Sequence, residues 1–222
     1  RVANGADRAA EADRLDRERQ QLDEEFAFVA SCNEGGEFMD PAKRTRLKAI
    51  AGRTWVRTLD DRIGVSHDEK LRKERTPAPA LPIEEALLAD RIDHVIERTY
   101  AAMSADNPWG FKIVAPQHEY NRGELYNLSV ARGTLTEEER YVINNHIVET
   151  IVMLSQLPFP PHLKEVPNIA GGHHEKMDGT GYPRGLKREQ MSLQARCMGI
   201  ADIFEALTAP DRPYKKGKTL SE

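Results

Sequence analysis

The sequence predicts an all-α protein: a succession of amphipathic helices interrupted by one long irregular loop. Three observations point there. Apolar residues recur at spacings of three, four and seven along most of the chain, helix-start signals precede several of these runs, and no stretch carries the pattern of a parallel sheet.

The first helix spans about Ala6 to Phe28, where Leu15, Leu22, Phe26 and Val29 line one side of a segment rich in Ala, Glu, Asp, Arg and Gln. Its charged outer face reads either as solvated surface or as the end of a signalling coiled coil arriving from upstream, although fewer than the usual three or four heptads are present. Gly35 and Gly36 break it. A second helix is expected from Asp40-Pro41, with Asp as N-cap and Pro in the first turn, carrying Leu47, Ile50, Trp55, Val56 and Leu59 inward until Gly64. From His67 to Pro82 the chain is charged and then proline-rich, reading as a linker or extended wrap. Glu84 to Met103 is expected as a shorter helix with Leu87, Leu88, Ile92, Val95 and Ile96 on its apolar side.

The stretch ADNPWGFKIVAPQHEYNRGELYN then reads as a long ordered loop, with a short extended piece at Phe111 to Val114. Beyond Gly133 the helical signal is strong. Thr136 and Glu139 form a capping box, after which Ile143, Ile147, Ile151 and Leu154 make a stripe that includes His146 and ends before Pro158. A helix from about His162 to Glu175 presents Val166, Ile169, Ala170, His173 and His174. The last helix, Leu193 to Thr208, is nearly continuous apolar sequence with Asp202 in its middle. The organisation expected is a helical region over 1–62, a linker over 63–83 and a domain over 84–222.

Basic and acidic residues, 32 and 36, are interspersed, for a net charge of −4. No global positive field draws the chain to DNA, RNA or an anionic membrane, so an anionic ligand must meet a local basic site. Cys32 and Cys197 stand far apart without finger spacing, and Cys197 lies in an apolar run; buried free thiols in a reducing cytoplasm are the expectation. No apolar run approaches the roughly 20 residues of a membrane span. The sequence reads as a fragment, with sensor or membrane segments outside it.

Chemistry concentrates at His146, at the His173-His174 pair and at Asp202. A histidine on an apolar face is commonly a hydrogen-bonded core residue, and a helix-terminal pair can simply complement the helix dipole. An aspartate in an apolar run is costly to bury unless paired or bound to metal, and imidazole with carboxylate is a common ligand set for Fe, Mn and Zn.

The strings around these residues resemble the HD-GYP phosphodiesterases. GGHHEKMDGTGYPRGL, Gly171 to Leu186, is similar to the family signature, with Gly181-Tyr182-Pro183 as the GYP and His173-His174-Glu175 as its histidine pair and acid. ARCMGIADIFEALTAPDRPYKKGKTLSE resembles the following block, and the match runs from about Leu125 to residue 222. The resemblance implies an HD-type helical bundle holding iron or manganese ions that bridge phosphate oxygens and activate water, with cyclic di-GMP or cyclic GMP-AMP as substrate. It assigns His146, His173, His174 and Asp202 as metal ligands. It assigns Gly181, Tyr182, Pro183, Arg212 and Lys215 to the ligand site, Arg and Lys meeting phosphate.

The resemblance fails at the family's His-Asp pair. Counting back from Leu135-Thr136 lands on Gln117-His118, with Asn121 at the lysine position and no apolar helix before it. His67-Asp68 sits in a polar stretch, and Asp93-His94 is in the reverse order. His118 and Glu119 are the candidate replacement ligands. One ion or none is therefore expected rather than a full two-metal site, leaving two readings: a phosphodiesterase with impaired catalysis, or a degenerate module that binds a nucleotide or a partner protein. In either, a homodimer through the N-terminal helix is expected.

Overall fold

A computed structural model describes residues 7–104, 106–209 and 217–219. About 49% of the described residues are helical, in seven α-helices and three short 3₁₀ turns, as the sequence predicts. Six short strands, which the sequence does not announce, pair into three antiparallel ribbons. The chain forms two compact units, Arg1–Thr99 with Gln117–Glu138 and Tyr100–Pro116 with Glu139–Glu222.

In the first unit, α1 (Arg8–Glu34) starts where the Asp7 carboxylate accepts from the Ala9 N–H and ends at Gly35, whose φ of 71° needs a residue without Cβ. Pairs one turn apart lace its surface, Arg14 with Glu18, Gln20 with Glu24 and Gln21 with Glu25. Leu15, Leu22 and Phe26 remain exposed, and Cys32 is buried. The strand β1 (Gly36–Phe38) pairs with β6 (Arg132–Gly133).

The helix α2 (Pro41–Ala51) begins as expected, with Asp40 accepting from the Ala42 N–H, and buries Leu47, Ile50 and Ala51. It stops at Gly52, short of Gly64. Trp55, Val56 and Leu59 are consequently exposed rather than inward-facing. Thr54–Arg57 forms β2, which pairs with β3 (Ile83–Ala86). The expected helix over Glu84 to Met103 is replaced by β3, a 3₁₀ turn at Ile92–His94 and β4 (Val95–Glu97), which pairs with β5 (His118–Asn121). β-Branched residues at Thr54, Val56, Ile83, Val95 and Ile96 suit pleated pairing, and cross-strand partners far apart in sequence override the local helical period. Within the expected linker, α3 (His67–Lys73) forms because the Ser66 hydroxyl accepts from the Glu69 N–H. His67 and Asp68 are exposed on it. The short α4 (Glu124–Leu128) completes the unit.

Ion pairs join α3 to the 3₁₀ turn at Ile92–His94 and to Asp61. Lys73 meets Asp93 at 2.9 Å and Asp61 at 3.1 Å, Arg57 meets Glu85 at 2.8 Å, and Arg91 meets Asp61 and Asp93 at 3.1 Å each. Burial would raise the Asp61 and Asp93 pKa values, but these cations outweigh it and hold both below the usual carboxylate value.

In the second unit lie most of α5 (Glu137–Ser155), then α6 (Val166–Gly171) and α7 (Leu193–Thr208). Ile147, Val148 and Ile151 of α5 form its core with Phe111, and Trp109, Ile113, Val152 and Tyr182 pack around them. No strand forms at Phe111–Val114; the loop inserts the Phe111 ring instead. The helix α6 is much shorter than the expected His162–Glu175, with Pro167 in its first turn and a glycine pair at its end. That pair brings neighbours close: a Cβ on Gly171 would sit 2.5 Å from Ile151 Cδ1, and one on Gly172 would sit 2.6 Å from Ala195 Cβ. The helix α7 matches its expected range, capped by the Ser192 hydroxyl accepting from the Ala195 N–H. Cys197 is exposed on it, not buried, and Ile200, Ile203 and Phe204 are exposed as well. No described helix is long and apolar enough to cross a membrane.

Candidate metal centre

Three histidines of the second unit converge: one ring nitrogen from each of His146, His173 and His174 lies within 4.8 Å of the others. His146 comes from α5, one residue before the buried Ile147. His173 and His174 sit in the turn just past α6 rather than on a helix. The glycine pair explains the position, because it lets the turn settle against both α5 and α7.

Two of the rings are oriented by a backbone carbonyl on Nδ1. His173 Nδ1 lies 2.6 Å from the Ala170 carbonyl, and His146 Nδ1 contacts the Ile143 carbonyl. A carbonyl only accepts, so Nδ1 is the donor in both rings, leaving Nε2 as the nitrogen available to a ligand. His174 is held differently. Its ring stacks on Tyr182, with centroids 4.8 Å apart and planes 20° apart, and its carbonyl accepts from the Tyr182 N–H at 3.2 Å. Burial, reinforced by His173 and His146 and opposed by Asp202, pushes the His174 pKa down to about 4. At neutral pH this imidazole is uncharged and free to donate its lone pair.

His146 Nε2 and His174 Nε2 lie 3.2 Å apart. With nitrogen ligands at about 2.0–2.1 Å from an ion, neighbouring donors stand about 2.9 Å apart in octahedral and about 3.4 Å apart in tetrahedral coordination. The observed separation, which is also hydrogen-bond distance, falls between these values. The trio is thus a donor set able to hold a metal ion.

Asp202 lies elsewhere. Its Oδ2 is 3.9 Å from His174 Nδ1, on the ring edge opposite His146, and the gathered trio does not include it. The side chain is 46% exposed, because the apolar residues flanking it on α7 are themselves uncovered. Asp202 is therefore not desolvated as its apolar surroundings in the sequence imply, and its carboxylate stands where it can steady an imidazole. His118 and Glu119 sit on β5 in the first unit, where His118 Nδ1 is 3.5 Å from Glu97 Oε2 and neither residue belongs to the trio.

The loop after the histidines is tightly built. Glu175 is buried, and its carboxylate accepts from the Arg184 N–H and the Leu186 N–H, both at 2.7 Å. Gly181 passes so close to this clamp that a Cβ there would sit 2.2 Å from Lys176 N and 2.5 Å from Glu175 Cα. Tyr182 is half-buried, its phenol pKa raised by burial and then by Asp202, and Pro183 is fully buried behind a cis Tyr182-Pro183 bond. Arg212 and Lys215 lie outside the described residues. Sequence reasoning missed Arg184, whose Nε donates to the Trp109 carbonyl at 2.9 Å, and missed the clamp role of Glu175. An arginine flanked by prolines and glycines gives no periodic signal that would mark it.

The HD domain family matches residues 72–222, about two thirds of the chain. The chain belongs to the HD-GYP family of HD domains. This HD-GYP chain is 38% identical over 123 residues to the 3'3'-cGAMP-specific phosphodiesterase 3 of Vibrio cholerae, covering 54% of this chain and 25% of that protein. It is 41% identical over 90 residues to a cyclic di-GMP phosphodiesterase of Pseudomonas aeruginosa (40% and 21%) and 35% identical over 112 residues to one of Thermotoga maritima (50% and 30%). The chain thus spans between a fifth and a third of the length of these relatives.

Proposed function

We propose that this HD-GYP domain is an output module of cyclic-dinucleotide signalling that holds one iron ion on His146, His173 and His174 and hydrolyses cyclic di-GMP or cyclic GMP-AMP slowly. The observation that carries this reading is the trio itself, with the Nε2 atoms of His146 and His174 set 3.2 Å apart on the family's own motif. A donor set of three imidazoles favours iron over manganese, which prefers oxygen ligands. When bound, a divalent ion supplies a Lewis acid for a phosphoryl oxygen and lowers the pKa of a coordinated water. The protein's own residues prepare the site. His174 stays neutral, Asp202 steadies its far nitrogen, Tyr182 walls off one side of its ring, and the Glu175 clamp fixes the loop that carries Tyr182. Arg212 and Lys215 are assigned to the phosphates.

The sequence's missing His-Asp pair supports impaired hydrolysis, as do the contact of His118 with Glu97 and the lack, among the described residues, of a carboxylate gathered with the trio. The same observation favours a second reading, a module that binds the dinucleotide or a partner protein without cleaving it. On either reading, residues 84–222 form the HD-GYP-like domain of a cytoplasmic protein, and α1 joins two copies through Leu15, Leu22 and Phe26. The deciding experiment counts iron and manganese in anaerobically purified protein and in His173→Ala, alongside cyclic di-GMP turnover. About one iron per chain, lost in the variant, with slow turnover is the expected result. Two ions would mean a rebuilt centre; no metal in either protein would sink the hydrolase reading.

A further inference from the structure

The loop Tyr100–Pro116 belongs to the same unit as the histidines, and its construction is more elaborate than a connection requires. The Asn107 side chain closes it: Nδ2 donates to the Ser104 carbonyl at 3.0 Å and to the Phe111 carbonyl at 2.9 Å, while Oδ1 accepts from the Phe111 N–H at 2.9 Å. Gly110 turns the chain with φ 71°. The closed loop then makes contacts in two directions. Toward α5, Phe111 is buried against Ile147, Val148 and Ile151, the first of these adjacent to His146. Toward the Tyr182 turn, the Lys112 N–H donates to the Pro183 carbonyl at 2.7 Å, the Trp109 carbonyl accepts from Arg184 Nε at 2.9 Å, and the Arg184 guanidinium lies 5.6 Å over the Phe111 ring. Trp109 stacks parallel to Phe111 at 5.9 Å, and Arg184 also donates to Asn168 Oδ1 of α6 at 3.0 Å.

We infer that the Asn107-closed loop positions the histidine cluster, by gripping the Tyr182–Arg184 turn against α5 so that Tyr182 holds the His174 ring in line with His146. Asn107 and Arg184 are positioning residues; neither ligates. The inference rests on the proposed metal centre for its purpose but not for its geometry. The histidines gain a fixed ring through Tyr182, the turn gains a fixed backbone through Lys112 and Arg184, and the loop holds its own shape through three hydrogen bonds from a single side chain. Partners one step removed from a metal ligand commonly change affinity by about 10- to 100-fold when lost.

Two variants perturb the loop by unrelated means. Asn107→Ala removes all three closing bonds. Gly110→Ala adds a methyl that would meet nothing within 4 Å, so it acts only through strain at a positive φ. Met191→Ala, a buried change in the same unit outside the loop, controls for general loosening. The first readout needs no metal: the imidazole signals in the proton–carbon NMR spectrum of apo protein, with His174 assigned through His174→Gln. Both loop variants should shift the His174 signal as the Tyr182 ring leaves, and Met191→Ala should not. The second is titration with cobalt(II), followed by visible absorption. Asn107→Ala should weaken cobalt binding on the order of 10-fold and alter the band shape, whereas His173→Ala should remove the spectrum. If the His174 signal stays put in both loop variants, the positioning role is wrong. If it shifts while wild-type protein gives no cobalt spectrum, the metal reading fails and the positioning role stands.

Discussion

Replacing Glu175 separates its role as a loop clamp from a role as a metal ligand. Glu175 is 8% exposed and accepts from Arg184 N and Leu186 N through different oxygens, each at 2.7 Å. Hydrogen bonds to a charged acceptor contribute about 1.5–3 kcal/mol each, and a buried N–H left without a partner carries its desolvation cost in full. Glu175→Gln keeps one acceptor oxygen but turns an NH₂ toward the other N–H, so one bond is lost and the survivor loses its charge. The expected cost is about 2–4 kcal/mol, against about 3–6 kcal/mol for Glu175→Ala. For a unit near 100 residues, the smaller cost lowers the melting temperature by roughly 10–20 °C. Trp109 reports on this unit and the exposed Trp55 on the other, so urea and thermal unfolding followed by Trp109 fluorescence in a Trp55→Phe background isolates the transition. Glu149→Gln, which disturbs one exposed contact with Asn145, should change stability by less than about 0.5 kcal/mol. A Glu175→Gln protein as stable as its parent that nonetheless loses bound metal would refute the clamp and make Glu175 a ligand.

Two pH dependences follow. His174 has a folded pKa of about 4 against an ordinary 6.5, so the unfolded chain binds its proton first as pH falls; stability of the metal-free protein should be complete above about pH 6.5 and decline by about 3 kcal/mol down to pH 4, a slope that His174→Gln should flatten. In the first unit, Asp61 and Asp93 are held below their ordinary value, so their contribution is present above about pH 4 and lost as pH drops through the folded values. Lys73→Met should both lower stability at neutral pH and shrink this acid-side loss; an unchanged urea midpoint at pH 7 would show that the buried charges contribute nothing net.

Where the sequence speaks through local rules, it is legible. Asp40 and Gly35 mark real helix ends because a cap depends on residues within one turn. The His trio is legible through its motif, and α5 through its stripe. The errors share one physical origin. Trp55, Val56, Val95 and Ile96 satisfy a helical period on paper, but their strand partners lie about thirty residues away or come from β5, and no local count detects such pairing. Asp202 is exposed for the complementary reason: its neighbours are apolar, yet burial depends on what covers α7, which the helix's own sequence does not contain. His118 is found by counting, but its contact with Glu97 depends on β4 lying beside β5.

The charge balance of the trio sets how many ions it can hold. Two dications about 3.7 Å apart, the spacing of two-metal hydrolytic sites, repel by roughly 18 kcal/mol at an effective dielectric of 20. A carboxylate bridging them at about 3 Å from each returns roughly 11 kcal/mol per ion, enough to offset the repulsion. Three neutral imidazoles return none of it through net charge, and Asp202 faces the far edge of His174 rather than the Nε2 atoms. A single ion meets no such repulsion and needs only the lone pairs already converging. Under the one-ion proposal, a second ion would need a bridging carboxylate, and the group gathered among the described residues holds none.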